Sequence, residues 1–278
     1  MRRPVLLLLP AAIPVVLVLG ATVVLGLAQS LGLMPVAGNT EFGVDAYRAV
    51  FASGDLWSSL IVSVAVATVA TAIALVVGLA TALAVRATRV GGRMLAALAA
   101  STIPIPHIIG AAAIGLLLAD SGWLPRLLGM DDGSWPQLVA GPWWGAVVLE
   151  YAWKESAFVA LVVVSSMAAD ADEISDTAAV LGAGRLARLR YIMLPLAAPA
   201  LITAGAISFI YALGSFEVPW LLGRAYPESV SVLAYRLFTS TDLAVRPQAL
   251  AVAMITVGLC LAVGVAALGL LRRRSVLT

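Results

Sequence analysis

Four ionisable side chains stand in stretches that are otherwise apolar: Glu150, Lys154 and Glu155 close together, and Glu217 further along. A charge at bilayer depth costs several kcal/mol and rarely faces lipid. Glu150 and Lys154 are four residues apart, so on a helix they share a face and can pair. Two readings stay open for this group. It is a structural ion pair buried between helices, or it lines a path for a polar solute. Glu217 has no local partner, since Arg224 lies two turns away, and Pro219 loosens the helix just beyond it. Glu217 and the neighbouring Trp220 are assigned to the path or to an external gate. Acidic lining of this kind favours a cationic solute. The single histidine, His107, sits in the run Ile103-Pro104-Ile105-Pro106-His107. Two prolines there must disturb a helix, and that kink comes before any ligand role for the histidine. The single cysteine, Cys260, is read as a packing residue, and a Cys/His metal site is excluded.

A second constellation does mechanical work. It reads Asp176-Thr177-Ala178-Ala179-Val180-Leu181-Gly182, then nine residues, then Ile192-Met193-Leu194-Pro195. Before it lie Asp170, Asp172 and Glu173, and behind it Arg185, Arg188 and Arg190. On a short helix beginning near Ser175, acids then occupy the positive end and bases the negative end. Ile174, Ala178 and Leu181 fall on one face. The two alanines allow a partner's backbone to come close. Gly182 can end the helix in the left-handed region, and Pro195 suits the first turn of the next helix. Such a segment hands force between a membrane domain and a soluble partner. A capped amphipathic helix lying on lipid is the structural alternative.

A phosphate-cradling loop needs Gly-x4-Gly-Lys-Ser/Thr. The only lysine is Lys154, preceded by Trp153, so the chain has no such motif. It carries no Gly-x-Ser-x-Gly, His-Glu-x-x-His or Cys-x-x-Cys either. Nothing supports catalysis, and no cofactor is expected on this chain.

The elements that position these residues are membrane spans. Of 278 residues, 62% are hydrophobic and only 12% charged, against about 25% charged in a soluble domain. Charge-free gaps run from Pro4 to Thr40, Leu56 to Val85, Met94 to Ala119, Tyr191 to Phe216 and Pro247 to Leu271. Each exceeds the roughly 20 residues a helix needs to cross a bilayer. A sixth span, about Trp143 to Met167, carries Glu150, Lys154 and Glu155. The fold class is therefore all-α, a polytopic membrane protein with about six transmembrane helices. Eleven of the 17 basic residues fall on one side of a six-span chain, which puts both termini in the cytoplasm. The Arg-led apolar N-terminus is longer than a signal-peptide core and is read as a retained first helix. Two shorter helices are expected outside the spans. One covers Val44–Phe51 with Tyr47, Val50 and Phe51 on one face, lying along the membrane surface; the other, Ser229 to Phe238 with Val230, Leu233, Ala234 and Leu237 at helical spacing, is a short surface or re-entrant helix or else a continuation into the last span. Trp123, Trp135, Trp143 and Trp144 suit a membrane-interface belt.

The loop spacing resembles the EAA signature, EAA-x3-G-x9-I-x-LP, of the permease subunits of binding-protein-dependent ABC importers of type I. This chain departs from it with Asp176 for Glu and Thr177 for Ala, keeping the charge and the small size. The likeness extends over residues 45–271 through Asp45–Phe51, Trp57–Leu60, Val148–Phe158 and Gly214–Pro219. It implies the type I importer permease fold in one transmembrane domain, 1–278. Residues 1–44 form a first helix and external loop, 45–271 the core, and 168–195 the EAA loop. It implies a role in ATPase coupling for Asp176, Thr177, Ala178, Ala179, Leu181, Gly182, Ile192, Leu194 and Pro195. It also implies a multi-pass protein of a prokaryotic cytoplasmic (plasma) membrane, with no nucleic-acid partner. Its partners would be two ATPase subunits holding ATP and Mg, a second permease subunit in a homo- or heterodimer, and an extracytoplasmic solute-binding protein. Around Glu217 the sequence is similar to the polyamine, iron(III), thiamine and phosphonate group, while sugar import stays open. Two rivals carry other predictions. An ion-coupled secondary transporter would use Glu150, Glu155 or Glu217 as a proton relay, and a membrane scaffold would transport nothing.

Overall fold

The computed structural model describes residues 3–34, 40–87, 89–131, 133–167 and 170–275. The described chain contains helices and no strand. In order these are α1 (Arg3–Ser30), α2 (Asp45–Ala52), α3 (Gly54–Ala87), α4 (Arg89–Thr102), α5 (His107–Leu118), α6 (Trp123–Leu127), α7 (Gly145–Ser166), α8 (Asp170–Val180), α9 (Arg185–Arg188), α10 (Leu194–Gly214), α11 (Glu217–Leu222), α12 (Val230–Phe238) and α13 (Arg246–Ser275). A π-helical turn, Leu189–Met193, joins α9 to α10. Five helical stretches are long and apolar enough to cross a membrane: Ala12–Ser30, Gly54–Ala87, His107–Leu127, Arg185–Gly214 and Leu243–Arg273. The expected sixth, α7, has 22 residues. At 1.5 Å per residue it spans about 33 Å, enough for a hydrocarbon core of about 30 Å.

Contacts divide the chain into two compact units, one of residues 1–61 and 227–259, the other of residues 62–226 and 260–278. In the first, Val50, Leu56, Val230, Leu233, Ala251 and Val252 form the core. Both short helices turn apolar residues into this core, and α12 (Val230–Phe238) is separate from α13; in α2 Tyr47 and Val50 turn inward while Phe51 is 46% exposed. Arg236 ties α12 down, donating from Nε to Glu228 (2.7 Å) and from Nη2 to Asp55 (3.1 Å). Burial lowers the pKa of this guanidinium, but the bonds and charges of Glu228 and then Asp55 outweigh it and raise it above its ordinary value. The Tyr47 and Ser30 hydroxyls, 2.9 Å apart, link α2 to α1.

The second unit carries the candidate site residues. One cluster joins Val66, Ala67 and Ala70 of α3 with Ala111, Ile114, Val147, Tyr151, Leu213 and Leu222. Another joins Ala74 and Ala82 with Val159, Val163, Ala197, Ala200 and Ala204. Small residues let these helices approach without a hydrophobic driving force in lipid. At Gly78 a Cβ would lie 2.6 Å from Cβ of Val159 and 2.8 Å from the Ser156 carbonyl, so only glycine fits. Two of the four tryptophans assigned to the interface belt engage the protein with their rings. Trp144 is buried at 5% exposure, and Trp135 donates its indole N–H to the Leu118 carbonyl at 2.9 Å. Trp123 and Trp143 remain exposed. Trp144 holds a left-handed backbone, φ 55°, that turns its ring into the core.

Candidate functional site

The span expected from Met94 to Ala119 is not one helix. It stops at Thr102 and restarts at His107, with Ile103–Pro106 as a turn. Two prolines within three residues remove two backbone donors, and the residue before a proline avoids the helical region. The interruption is therefore a full break where a kink was expected. It carries His107 to the first turn of α5, opposite α7.

There the structure assembles a polar cluster whose pairing differs from the expected one. Glu150 does not pair with Lys154. Its carboxylate faces His107, with Nδ1 3.0 Å from Oε1 and 3.3 Å from Oε2. Helix spacing allowed the intrahelical pair, but the break offers both side chains better partners. Lys154 donates to the Thr102 carbonyl at 2.6 Å and the Ile105 carbonyl at 2.5 Å. Glu155 accepts from the Ser208 hydroxyl of α10 at 2.5 Å and lies 3.8 Å from Nε2 of His107. Glu150 is fully buried, Lys154 is 5% exposed and Glu155 8%. Tyr211 closes the group, its ring 4.5 Å from that of His107. Gly110 makes the approach possible, since a Cβ there would sit 3.1 Å from Oε1 of Glu150.

Beside this cluster is a cavity of about 210 Å³ lined by Ile103, His107, Lys154, Glu155, Phe158, Ile207 and Tyr211. Its lining carries one carboxylate, Glu155, and one ammonium, Lys154, so the lining is charge-compensated, while Glu150 is buried behind His107. The acidic character expected of the solute path is not seen in the lining of this cavity. His107, Ser208 and Tyr211 are the residues that sequence reasoning missed. The proline-flanked histidine was the one available signal. Glu217 and Trp220 do not line the cavity. Glu217 is exposed at the start of α11 and accepts from the Ser215 hydroxyl at 3.4 Å, the partner that local sequence did not suggest. Trp220 stacks on Phe216 with centroids 5.4 Å apart.

The coupling candidates form a helix that starts earlier than expected, at Asp170 and not near Ser175. Acidic residues thus occupy its first turns as well as its middle. Its end is as the glycine required. Gly182 has φ +90°, its N–H donates to the Ala179 carbonyl (3.0 Å), and the Ala183 N–H donates to the Ala178 carbonyl (2.9 Å). This is the double-bonded left-handed cap. Asp176, Thr177, Ala179 and Gly182 are exposed, and Val180 (88%) and Leu181 (82%) project an apolar tip. The Arg188 guanidinium pins the hairpin, donating from Nη1 to the Ser175 hydroxyl at 3.3 Å. Arg86 fixes its approach by donating to the Met167 carbonyl at 3.0 Å, at the end of α7.

Ile192, Leu194 and Pro195 lie where this hairpin joins the long helix from Arg185 to Gly214. Pro195 is in the first turn of α10. The helix does not start with it. Pro195 has no N–H for the carbonyl four residues back, and its ring crowds that carbonyl. The turn before it widens accordingly, and the Leu194 N–H donates to the Leu189 carbonyl.

A bundle of membrane-length helices with a buried polar cluster, a broken helix beside it and a capped hairpin at one end defines a class: a multi-pass membrane transport subunit. Comparison with known proteins narrows it. Residues 74–276 match the family model described as "Binding-protein-dependent transport system inner membrane component". The trehalose/maltose transport system permease protein MalF of Thermococcus litoralis is 26% identical over 208 residues, covering 72% of this chain and 70% of that protein. The trehalose transport system permease protein SugA of Mycobacterium tuberculosis is 28% identical over 242 residues, 84% of this chain and 78% of that one. Among solved structures, a bacterial ABC transporter for import of the acidic polysaccharide alginate superposes with a TM-score of 0.78 at 19% identity, covering 96% of this chain and 94% of that one. The MetNI methionine ABC transporter gives 0.60 at 17% identity over 80% of this chain and 99% of that one.

The chain belongs to the binding-protein-dependent transport system inner membrane component family. It is a multi-pass permease subunit of an ATP-driven importer in the cytoplasmic membrane, and the ATPase is a separate subunit. The likeness to polyamine and iron(III) permeases drawn from the Glu217 region finds no support among these relatives.

Proposed function

We propose that this subunit forms half of a translocation path for a neutral, polyhydroxylated solute, with the α8 hairpin as the seat of a partner ATPase. The observation that carries the reading is the α8 tip. A helix with an acidic start, a left-handed glycine cap and an exposed apolar end at Val180 and Leu181 is built to dock into another protein. Asp176, Thr177, Ala178, Ala179, Leu181 and Gly182 are its contact positions, and Ile192, Leu194 and Pro195 carry the movement into α10. Two ATPase subunits with ATP and Mg, a second permease and an extracytoplasmic binding protein complete the assembly. The basic clusters at 86–93, 185–190 and 272–274 support an orientation with both termini in the cytoplasm.

The solute class is supported by the charge-compensated cavity and by the trehalose and maltose permeases among the relatives. His107, Glu155 and Tyr211 offer hydrogen-bonding groups beside the apolar walls of Ile103, Phe158 and Ile207. Glu150 holds His107 from behind, and Glu217 and Trp220 stand toward the external end. The test is purification of the native complex followed by uptake of trehalose, maltose and putrescine into proteoliposomes containing ATP. The account expects disaccharide uptake and no putrescine uptake. Putrescine uptake alone refutes the solute class, and assembly without an ATPase refutes the importer mechanism.

A further inference from the structure

We propose that Lys154, the only lysine of the chain, is a positioning residue of the solute path and not a ligand for an anion. Its ammonium serves the backbone of the α4–α5 break. In a continuous helix the Thr102 carbonyl would accept from the N–H of residue 106; residue 106 is proline and has none. Local turns cover the break only with long bonds, Ile103 N–H to Ala100 and Ile105 N–H to Thr102, both 3.3 Å. The Ile109 N–H, which would serve Ile105 in a helix, bonds Pro106 instead, at 3.0 Å. Carbonyls of irregular backbone in a membrane protein must be satisfied by other protein groups or by water in a cavity. Lys154 reaches across from α7 and places its Nζ 2.6 Å from the Thr102 carbonyl and 2.5 Å from the Ile105 carbonyl. The end of α4 is also the negative end of that helix, which favours a cation there.

Ile103, the first residue of this break, and His107, which follows it, are walls of the cavity. Lys154 therefore sets the cavity's shape through main-chain atoms it holds on a neighbouring helix. The inference rests on the cavity being part of the solute path.

The test uses the full complex in native membranes. Ile103→Cys, in a Cys260→Ala background, gives one thiol on this subunit at the cavity wall, and its rate of reaction with N-ethylmaleimide reports how the break is seated and hydrated. Lys154→Met should raise that rate about tenfold, as water enters to serve the abandoned carbonyls. Lys154→Arg, which keeps donors for both carbonyls, should return it toward the parent rate. Pro106→Ala added to K154M should do the same by restoring an N–H opposite Thr102. A parental rate in K154M overturns the proposal, as does a raised rate that neither second variant corrects. If K154M does not accumulate in the membrane, recovery of accumulation by K154R or by P106A supports it, and failure of both overturns it. Protection of the I103C thiol by trehalose, measured in the parent, tests the path reading separately and leaves the Lys154 pattern standing whatever its result.

Discussion

Replacing Gly182 tests the hairpin through backbone conformation alone. Gly182 sits at φ +90°, and a Cβ built on it has nothing within 4 Å. Steric conflict with the rest of the chain therefore contributes nothing, and the cost of a side chain is the cost of the left-handed region itself. That cost is about 1–2 kcal/mol for an ordinary L residue and toward the upper end of about 1–3 kcal/mol for a β-branched one. Asparagine tolerates the region and should lose least. If valine instead moves φ out of the region, the two cap bonds at 2.9 and 3.0 Å are lost, at about 1 kcal/mol each. Either route costs G182V about 2 kcal/mol, which lowers the ratio of capped to uncapped hairpin roughly 30-fold. The Val180–Leu181 tip then loses its direction. The assay is solute uptake per ATP hydrolysed by the purified complex in proteoliposomes. Uptake should fall in the order Gly, Asn, Ala, Val, with G182V down about tenfold or more. Uptake by G182V equal to the parent, or G182N as impaired as G182V, refutes the reasoning.

Gly78→Ala should lower the thermal stability of the complex by about 1–3 kcal/mol, because its methyl meets Val159 and the Ser156 carbonyl. The companion V159A should recover part of that loss in a thermal melt. Ser208→Ala leaves Glu155 without its 2.5 Å hydroxyl donor and should cost about 1–3 kcal/mol by the same measurement. A wild-type melting temperature for S208A contradicts the pairing. Arg236→Lys keeps the charge but cannot reproduce a planar group that reaches Glu228 and Asp55 from two different nitrogens. It should make the α12 segment more open to limited proteolysis, while Arg48→Lys, at an exposed pair, should change nothing.

The spans were legible because apolar length is a local property, and charge-free runs marked five of them. The glycine cap was legible for the same reason, since Gly182 follows the last helical turn and its conformation needs no distant partner. Pairings were not legible. Helix spacing joined Glu150 to Lys154, yet both side chains turn to the α4–α5 break, where the Thr102 and Ile105 carbonyls and the histidine are presented only once the prolines have interrupted the chain. The partner of Glu155 is Ser208, 53 residues away, and no periodicity announces it. The burial of Trp144 was not legible because a left-handed backbone turns its ring inward, a conformation that a bulky residue seldom adopts. The π turn at Leu189–Met193 has a local cause in Pro195, but it is visible only when the helix is known to begin before that proline.

Site-directed cross-linking of the α8 tip decides whether this is where ATP-derived force enters the membrane domain. With Leu181→Cys in a Cys260→Ala background, the purified complex is treated with a short bifunctional thiol reagent, with and without nucleotide, and Trp143→Cys serves as the control. The account expects a covalent product joining L181C to the ATPase subunit, at a yield that changes on ATP binding, and none from W143C. An assembled, ATP-hydrolysing complex in which L181C never joins the ATPase contradicts it.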